Sequence, residues 1–414
     1  MKTVILGGGI IGVTTAYFLA RGGEDVTVVD RHPGVALGTS FANAGLVAPG
    51  HSYTWASPRA PLILLKSLFS EGQALRLKLV PDPRLYAWGW EFLKNCTAAR
   101  SRENTARKLR LCLYSQAQLQ EVTARERLSY DGIAKGLLYL YRDQASLDRG
   151  TSTMSVLTEN GLPLQTLDRA ATIALEPALA GSGANVVGSI YCPSDESGDA
   201  HTFTRLIYER CLQMGVAFNF DVEVKAITAG ADKVDHIETA QGRLVADRYV
   251  LAMGSHSPLL ARKLGYRLPV YPVKGYSVTF PIVQPGKAPD LGGIDEDNLT
   301  GWVRLGDRLR FTATAEFAGF DMEHRPSDFT HMLRTAKGLF PEAADYSRPS
   351  YWAGLRPMTP NGTPLVGATR HSNLFLNTGH GHLGWTMSCG TARLLADVMQ
   401  GRTPELDMTG LSVC

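Results

Sequence analysis

Residues 1–30 read MKTVILGGGIIGVTTAYFLARGGEDVTVVD. Residues 3–6 are a short apolar run of β-formers, Gly7-Gly8-Gly9-Ile10-Ile11-Gly12 breaks it, and an amphipathic run through Ala16, Phe18, Leu19 and Ala20 follows. Arg21-Gly22-Gly23 turns the chain, residues 26–29 make a second strand, and Asp30 closes it. The result is a complete βαβ unit. Each glycine of Gly7-x-Gly9-x-x-Gly12 has a mechanical reason: one makes a tight turn, one lets the backbone approach a pyrophosphate, and one lets helix contact strand. The phosphates lie against the helix N-terminus, and Asp30, with Arg31 beside it, accepts from the hydroxyls of an adenosine ribose. An acid at this point argues against a 2′-phosphate. The expected ligand is a dinucleotide with a free adenosine ribose, and the fingerprint alone leaves NAD and FAD both open.

A chain of 414 residues is long enough for two domains. Its 42 basic and 39 acidic residues form no block of like charge, which excludes a nucleic-acid stripe and points to a small-molecule partner. The six cysteines (Cys96, Cys112, Cys192, Cys211, Cys389, Cys414) are scattered without metal-ligand spacing, so no metal site and no disulfide framework is expected, and a reducing, cytoplasmic setting fits best. The apolar N-terminus reads as a buried strand rather than a signal peptide, and no apolar run is long enough to span a bilayer.

The far end of the chain discriminates between the two cofactors. Residues 373–378 read as a strand that runs into Gly379-His380-Gly381-His382-Leu383-Gly384, and a helix-like run over 386–399 follows. A second positive helix end suits a flavin, where negative charge collects on reduction. NAD has no equivalent need. Residues 249–255, which include Ala252 and Gly254, form another apolar strand ending in small residues, and the alternating run 215–224 is expected to bring the Val224 backbone near the adenine.

Four segments together resemble the FAD-dependent D-amino-acid oxidase superfamily, in its glycine oxidase-like group, and most closely the bacterial D-amino acid dehydrogenases. They are the N-terminal fingerprint, Thr39-Ser40-Phe41-Ala42-Asn43-Ala44-Gly45, Ala353-Gly354-Leu355-Arg356-Pro357-Met358-Thr359-Pro360-Asn361-Gly362, and Gly379-His380-Gly381-His382-Leu383-Gly384-Trp385-Thr386-Met387. The resemblance implies non-covalent FAD, contacted by Thr39, Ser40, Ala44, Gly45 and the adjoining Asn43 and Leu46, and by Gly354 and Thr386. It implies that Arg356 pairs with the substrate carboxylate, which the planar two-pronged guanidinium matches while keeping its charge. Tyr53 and Tyr276 are expected to enclose the site, from His51-Ser52-Tyr53 and Tyr271-Pro272-Val273-Lys274-Gly275-Tyr276, with Tyr351-Trp352 beside them and Lys274 under the flavin. His382 departs from the family, whose dehydrogenases commonly carry a small hydroxyl residue there; it can bond a substrate hydroxyl or line the site passively.

The implied reaction is oxidative deamination of a D-amino acid, by hydride transfer from Cα to flavin N5, giving an imine and then a 2-oxo acid and ammonia. D-Proline or D-hydroxyproline dehydrogenation, glycine or sarcosine oxidation, and a role as an FAD-binding subunit inactive alone remain open alternatives. No side-chain base is strictly required, and no Ser/His/Asp arrangement or carboxylate pair is evident in the sequence. A quinone or another acceptor takes the electrons. Between Tyr53 and Lys94, Trp55, Leu62, Ile63, Leu64, Leu65, Leu68, Phe69, Trp88 and Trp90 alternate with Arg59, Lys66, Arg76 and Lys78, a mixture that suits either peripheral contact with the cytoplasmic face of the inner membrane or packing over the site.

The fold expected is α/β: a discontinuous Rossmann-type FAD-binding domain from residues 1–85, 146–263 and 351–414, and an α+β substrate domain from 86–145 and 264–350. The second domain carries a mixed or antiparallel sheet, with strands at 136–141, 277–280 and 308–313.

Overall fold

Strand Lys2–Leu6 lies inside a six-stranded sheet whose order is Leu365–Ala368, Leu374–Thr378, Arg248–Leu251, Lys2–Leu6, Asp25–Val29, Ala217–Asn219. The computed structural model describes residues 1–67, 75–77 and 81–412. Five of the six strands run parallel, and only Leu365–Ala368 is antiparallel to its neighbour. The order of a doubly wound sheet follows from the sequence: Val4, Ile5 and Leu6 are buried on both faces, so both must be covered. On one face helix Ile10–Arg21 packs against helices Ala200–Gln213 and Gly384–Met399, and helix Ala98–Glu126 packs outside the last of these. The other face is covered by the three-stranded antiparallel sheet Val224–Ala229, Val234–Thr239, Gly242–Leu244.

A nine-stranded mixed sheet stands beside it. Its order is Ser350–Met358, Tyr271–Pro281, Arg308–Phe317, Thr300–Leu305, Gly292–Asp295, Leu137–Tyr141, Gly188–Cys192, Gln165–Asp168, with Leu75–Leu77 added parallel to the end of Arg308–Phe317. Apart from that pair and the parallel pair Gly292–Asp295 with Leu137–Tyr141, the neighbours are antiparallel. The expectation of an α/β chain with a Rossmann-type sheet and a second, mixed sheet is borne out.

Three local differences have physical causes. The run 215–224 is two short strands in different sheets, because the chain turns through Asp221 at φ 57° after Ala217–Asn219. Strands Gln165–Asp168, Gly188–Cys192 and Ser350–Met358, which fall in segments expected to hold the cofactor, hydrogen-bond in the nine-stranded sheet. Helix Ala98–Glu126, from a segment expected in the substrate domain, buries Leu111, Leu119 and Val122 in the same core as Trp385 and Leu395. An amphipathic helix docks wherever its apolar stripe finds a partner, and that stripe carries no address in the sequence.

Candidate active site

The C-terminal ends of the parallel strands open into a cavity of about 1530 Å³ that runs on to the nine-stranded sheet. That exceeds what a single small ligand needs and suits a dinucleotide together with a substrate. Helix Ile10–Arg21 starts at Gly9 without a side-chain cap, and Ser40 Oγ accepts from Ile10 N at 3.1 Å. A Cβ on Gly12 would lie 1.8 Å from Gly7 O, so only glycine lets the helix sit this close to the strand. Asp30 lines the cavity with Arg31; its Oδ2 accepts from Gly8 N at 2.6 Å and its Oδ1 from His32 N at 2.8 Å.

Gly7, Gly9, Ile10, Ile11, Thr39, Ser40, Asn43, Ala44, Gly45, Leu46, Val224, Ala252, Gly254 and Gly354 line the same cavity, as do Gly381, His382, Leu383 and Gly384 from the far end of the chain. Leu383 starts helix Gly384–Met399, again without a side-chain cap. Two uncapped helix starts and a strand-end carboxylate on one cavity are the donor and acceptor set that FAD requires. The segment after Asp30 is tied across to the second sheet: Thr39 Oγ1 donates to Leu355 O at 2.8 Å, and Arg310 Nη1 donates to Asn43 O at 3.3 Å.

Five expected contacts stand behind the wall. Gly8 and Gly379 lie in the loops that follow strands, Gly12 lies inside helix Ile10–Arg21, and Thr386 Oγ1 accepts from Ala48 N at 3.1 Å, holding the segment that leads to His51. Lys274 is buried away from the cavity, with Nζ 3.4 Å from Glu316 Oε1, 3.6 Å from Asp321 Oδ2, and donating to Glu323 O at 3.0 Å.

Arg356 lies on strand Ser350–Met358, opposite Val273 of strand Tyr271–Pro281. Its side chain crosses Gly275, where a Cβ would fall 2.4 Å from the guanidinium carbon, and its Nη1 donates to Thr314 O at 2.6 Å. No carboxylate pairs with it among the described residues, and burial draws its pKa down to about 10, which leaves it a cation at neutral pH. A desolvated cation facing a cavity without a counter-ion is a receptor for an anionic ligand. Tyr276 lines the cavity with its ring, while its hydroxyl is taken, donating to Glu316 Oε2 at 2.7 Å. Trp352 lines it too, whereas Tyr351 packs on Phe329 in the core behind.

Another part of the lining is aromatic and titratable. Tyr53 OH lies 2.8 Å from His51 Nε2 and donates to Glu296, 3.0 Å from Oε2. Burial and the Glu296 charge push the Tyr53 phenol well above its ordinary range. His382 stacks on Trp55, ring centroids 5.1 Å apart, and meets His51 edge-on at 5.7 Å. Burial, with Lys108, His51 and Arg356 near, holds the His382 imidazole well below its usual range, hence neutral. His380, also on the cavity, is buried against Thr391 Oγ1 at 3.0 Å and drawn down to about 3. Among the described residues no cluster of His, Cys, Asp and Glu can hold a metal ion, and five cysteines are free; Cys414 lies outside them.

A Rossmann-type sheet, a cavity roomy enough for a dinucleotide and an arginine without a carboxylate partner on the facing mixed sheet accord with a flavin oxidoreductase, and the chain belongs to the FAD dependent oxidoreductase family, whose model matches residues 2–398. It is 45% identical over 412 residues to the D-amino acid dehydrogenase 2 of Mesorhizobium japonicum, with 99% of each chain covered. It is 46% identical over 414 residues to the D-amino acid dehydrogenase of Methylobacterium radiotolerans, covering 100% of this chain and 99% of that protein. The fold resembles that of glycine oxidase from Geobacillus kaustophilus, with a TM-score of 0.77 at 22% identity over 100% of this chain and 98% of that one. FAD is therefore the cofactor, as the two ends of the sequence foreshadow.

Gly275, His51, Trp55, His380 and Glu296 complete the site. The sequence brings in His51 and Gly275 only as neighbours of Tyr53 and Tyr276, and Trp55 only as part of an apolar stretch. Glu296 carries no sequence signal, being 243 residues from the tyrosine it binds.

Proposed function

We infer that the protein oxidises D-amino acids with FAD, dehydrogenating the Cα–N bond to an imine that water converts to a 2-oxo acid and ammonia. The observation that carries this is Arg356, a desolvated guanidinium with no carboxylate partner among the described residues, facing the cofactor cavity over Gly275. It takes the substrate carboxylate through paired hydrogen bonds and so fixes where Cα lies. The cofactor, when bound, supplies the hydride acceptor at N5. Tyr53, Tyr276, Trp352 and His382 enclose the substrate and exclude water.

The electrons leave to a quinone or another acceptor. Supporting this, Leu62, Ile63, Leu65, Tyr86 and Trp90 are exposed beside the cavity mouth, with Arg59 and Lys94 among them. An apolar and aromatic rim with basic neighbours suits the headgroup region of a membrane, where quinones reside. Leu68, Phe69 and Lys78, assigned to the same stretch, lie outside the described residues. Among the described residues no helix is long and apolar enough to cross a membrane.

The test is a panel of D-alanine, D-proline, D-hydroxyproline, glycine and sarcosine added anaerobically to the purified yellow protein. Bleaching by D-alanine and other primary D-amino acids supports the assignment. Bleaching by glycine or sarcosine alone contradicts it, as does a flavin that none of the panel reduces.

A further inference from the structure

An α-amino acid is a zwitterion at neutral pH, and its ammonium group has no lone pair with which to form the C=N bond. A proton must therefore leave before hydride does. We propose that His51, oriented by Glu296 and Tyr53, is the base that takes this proton, a step within the D-amino acid oxidation proposed above.

The placement of His51 is fixed from two sides. It ends the turn Pro49–His51, whose Gly50 N donates to Asp195 Oδ1 at 3.0 Å. The other oxygen of Asp195 accepts from Tyr139 OH, and the Tyr139 ring lies under the imidazole, centroids 5.8 Å apart and planes 19° from parallel. Glu296 follows strand Gly292–Asp295, the parallel neighbour of the strand that carries Tyr139, and Glu296 N donates to Leu140 O at 3.0 Å. Its Oε1 lies 3.3 Å from His51 Nε2, and its side chain is only 10% exposed. A buried carboxylate on one imidazole nitrogen orients the ring and stabilises the imidazolium that forms when the other nitrogen accepts a proton.

That other nitrogen is Nδ1. It has no hydrogen-bond partner among the described residues, and the ring lines the cavity that Arg356 also lines. The charged and titratable groups facing His51 are Glu296, Tyr53, Tyr139 with Asp195 behind it, and His382, beyond which stand Lys108 and Arg356. His382 is held neutral by burial and does not compete for the proton.

The proton passes from the substrate ammonium to Nδ1, leaving a neutral amine and an imidazolium paired with Glu296. The nitrogen lone pair is then free to form the C=N bond, the Cα–H pair leaving as hydride to the acceptor that bound FAD would supply. The products are a protonated imine and reduced cofactor, and the imidazolium returns its proton to solvent.

The experiment follows anaerobic flavin bleaching by D-alanine across pH in holoenzyme carrying wild-type, His51→Ala, His51→Gln or Glu296→Gln chains. Propionate, which has the carboxylate and no ammonium, is titrated against the flavin spectrum as the probe of an intact site. The expected results are that His51→Ala bleaches about 10²-fold slower at neutral pH, and that propionate binds it as it binds wild type. The rate then recovers as pH rises to where the substrate amine deprotonates unaided, and added imidazole restores part of it. Glu296→Gln moves the acid limb to lower pH with a lower plateau. Unchanged bleaching by His51→Ala and His51→Gln at every pH overturns the proposal, and so does a uniform loss at all pH accompanied by loss of propionate binding. If no D-amino acid bleaches the wild-type protein, the reaction itself is refuted and this step falls with it.

Discussion

The guanidinium of Arg356 rests on the backbone of Gly275: a single Cβ at that glycine would lie 2.4 Å from its carbon and 2.5 Å from Nη2. The antiparallel register sets Gly275 opposite Gly354 and so leaves the space that the proposed carboxylate site uses. Gly275→Ala must displace the arginine while leaving the cofactor half of the cavity intact. The expected outcome is a KM for D-alanine raised about 10-fold, equivalent to about 1.4 kcal/mol, with FAD content unchanged by absorption spectroscopy.

Arg356 itself sets a larger effect. Breaking a desolvated charge pair removes about 2–5 kcal/mol, so Arg356→Ala should raise KM by on the order of 10²-fold or more. Arg356→Lys should fall between the two, because an ammonium restores the charge and not the paired geometry. Steady-state kinetics with D-alanine measures both, and equal KM values for wild type and Arg356→Ala would remove the arginine from the binding site.

Lys108 offers a stability test independent of turnover. It lies inside helix Ala98–Glu126, 1% exposed, with no hydrogen bond or ion pair among the described residues, and burial pulls its ammonium from 10.5 to about 8. Between those two values the unfolded chain binds more protons than the folded one, so stability rises with pH across that window. Below it the buried charge is a standing penalty, on the order of 3 kcal/mol. Lys108→Met, close in volume, should therefore raise the melting temperature at pH 7, and its advantage should vanish above the unfolded lysine value. Thermal melts at several pH values check the sign; a destabilised variant at neutral pH would contradict it.

The proposed contact of the cavity rim with a quinone or a membrane is testable apart from substrate oxidation. Trp90 is 62% exposed, with Lys94 Nζ 5.6 Å from its ring centroid. Trp90→Ser combined with Leu62→Ser should slow reduction of a quinone analogue and weaken attachment to anionic vesicles, while anaerobic bleaching by D-alanine keeps its wild-type rate. Stopped-flow measurement of each half-reaction distinguishes these effects.

How much of this is legible in the sequence depends on whether a residue acts through its neighbours in the chain or across the fold. The βαβ unit of residues 1–30 and the loop 379–384 are local, and each announces a helix start aimed at a ligand, so the cofactor half is readable. Arg356 is readable because its segment is distinctive. Lys274 is not: which side chain a strand residue meets depends on the pairing register, and the register here sets Lys274 across from Glu316, which takes its ammonium. The wall of His51, Tyr53 and Glu296 is hidden for a different reason. It joins a turn before helix Ala60–Ser67 to the end of strand Gly292–Asp295, and only the parallel pairing with Leu137–Tyr141 brings them together.

The measurement that bears most directly on the oxidation of D-amino acids is an anaerobic titration of the purified, FAD-loaded protein with D-alanine and, separately, L-alanine, followed through the visible absorption of the flavin. The result expected is stoichiometric bleaching by the D-isomer, with 2-oxo acid and ammonia formed one for one, and no bleaching by the L-isomer. Preference for the L-isomer, or a flavin that neither isomer reduces, would contradict that function.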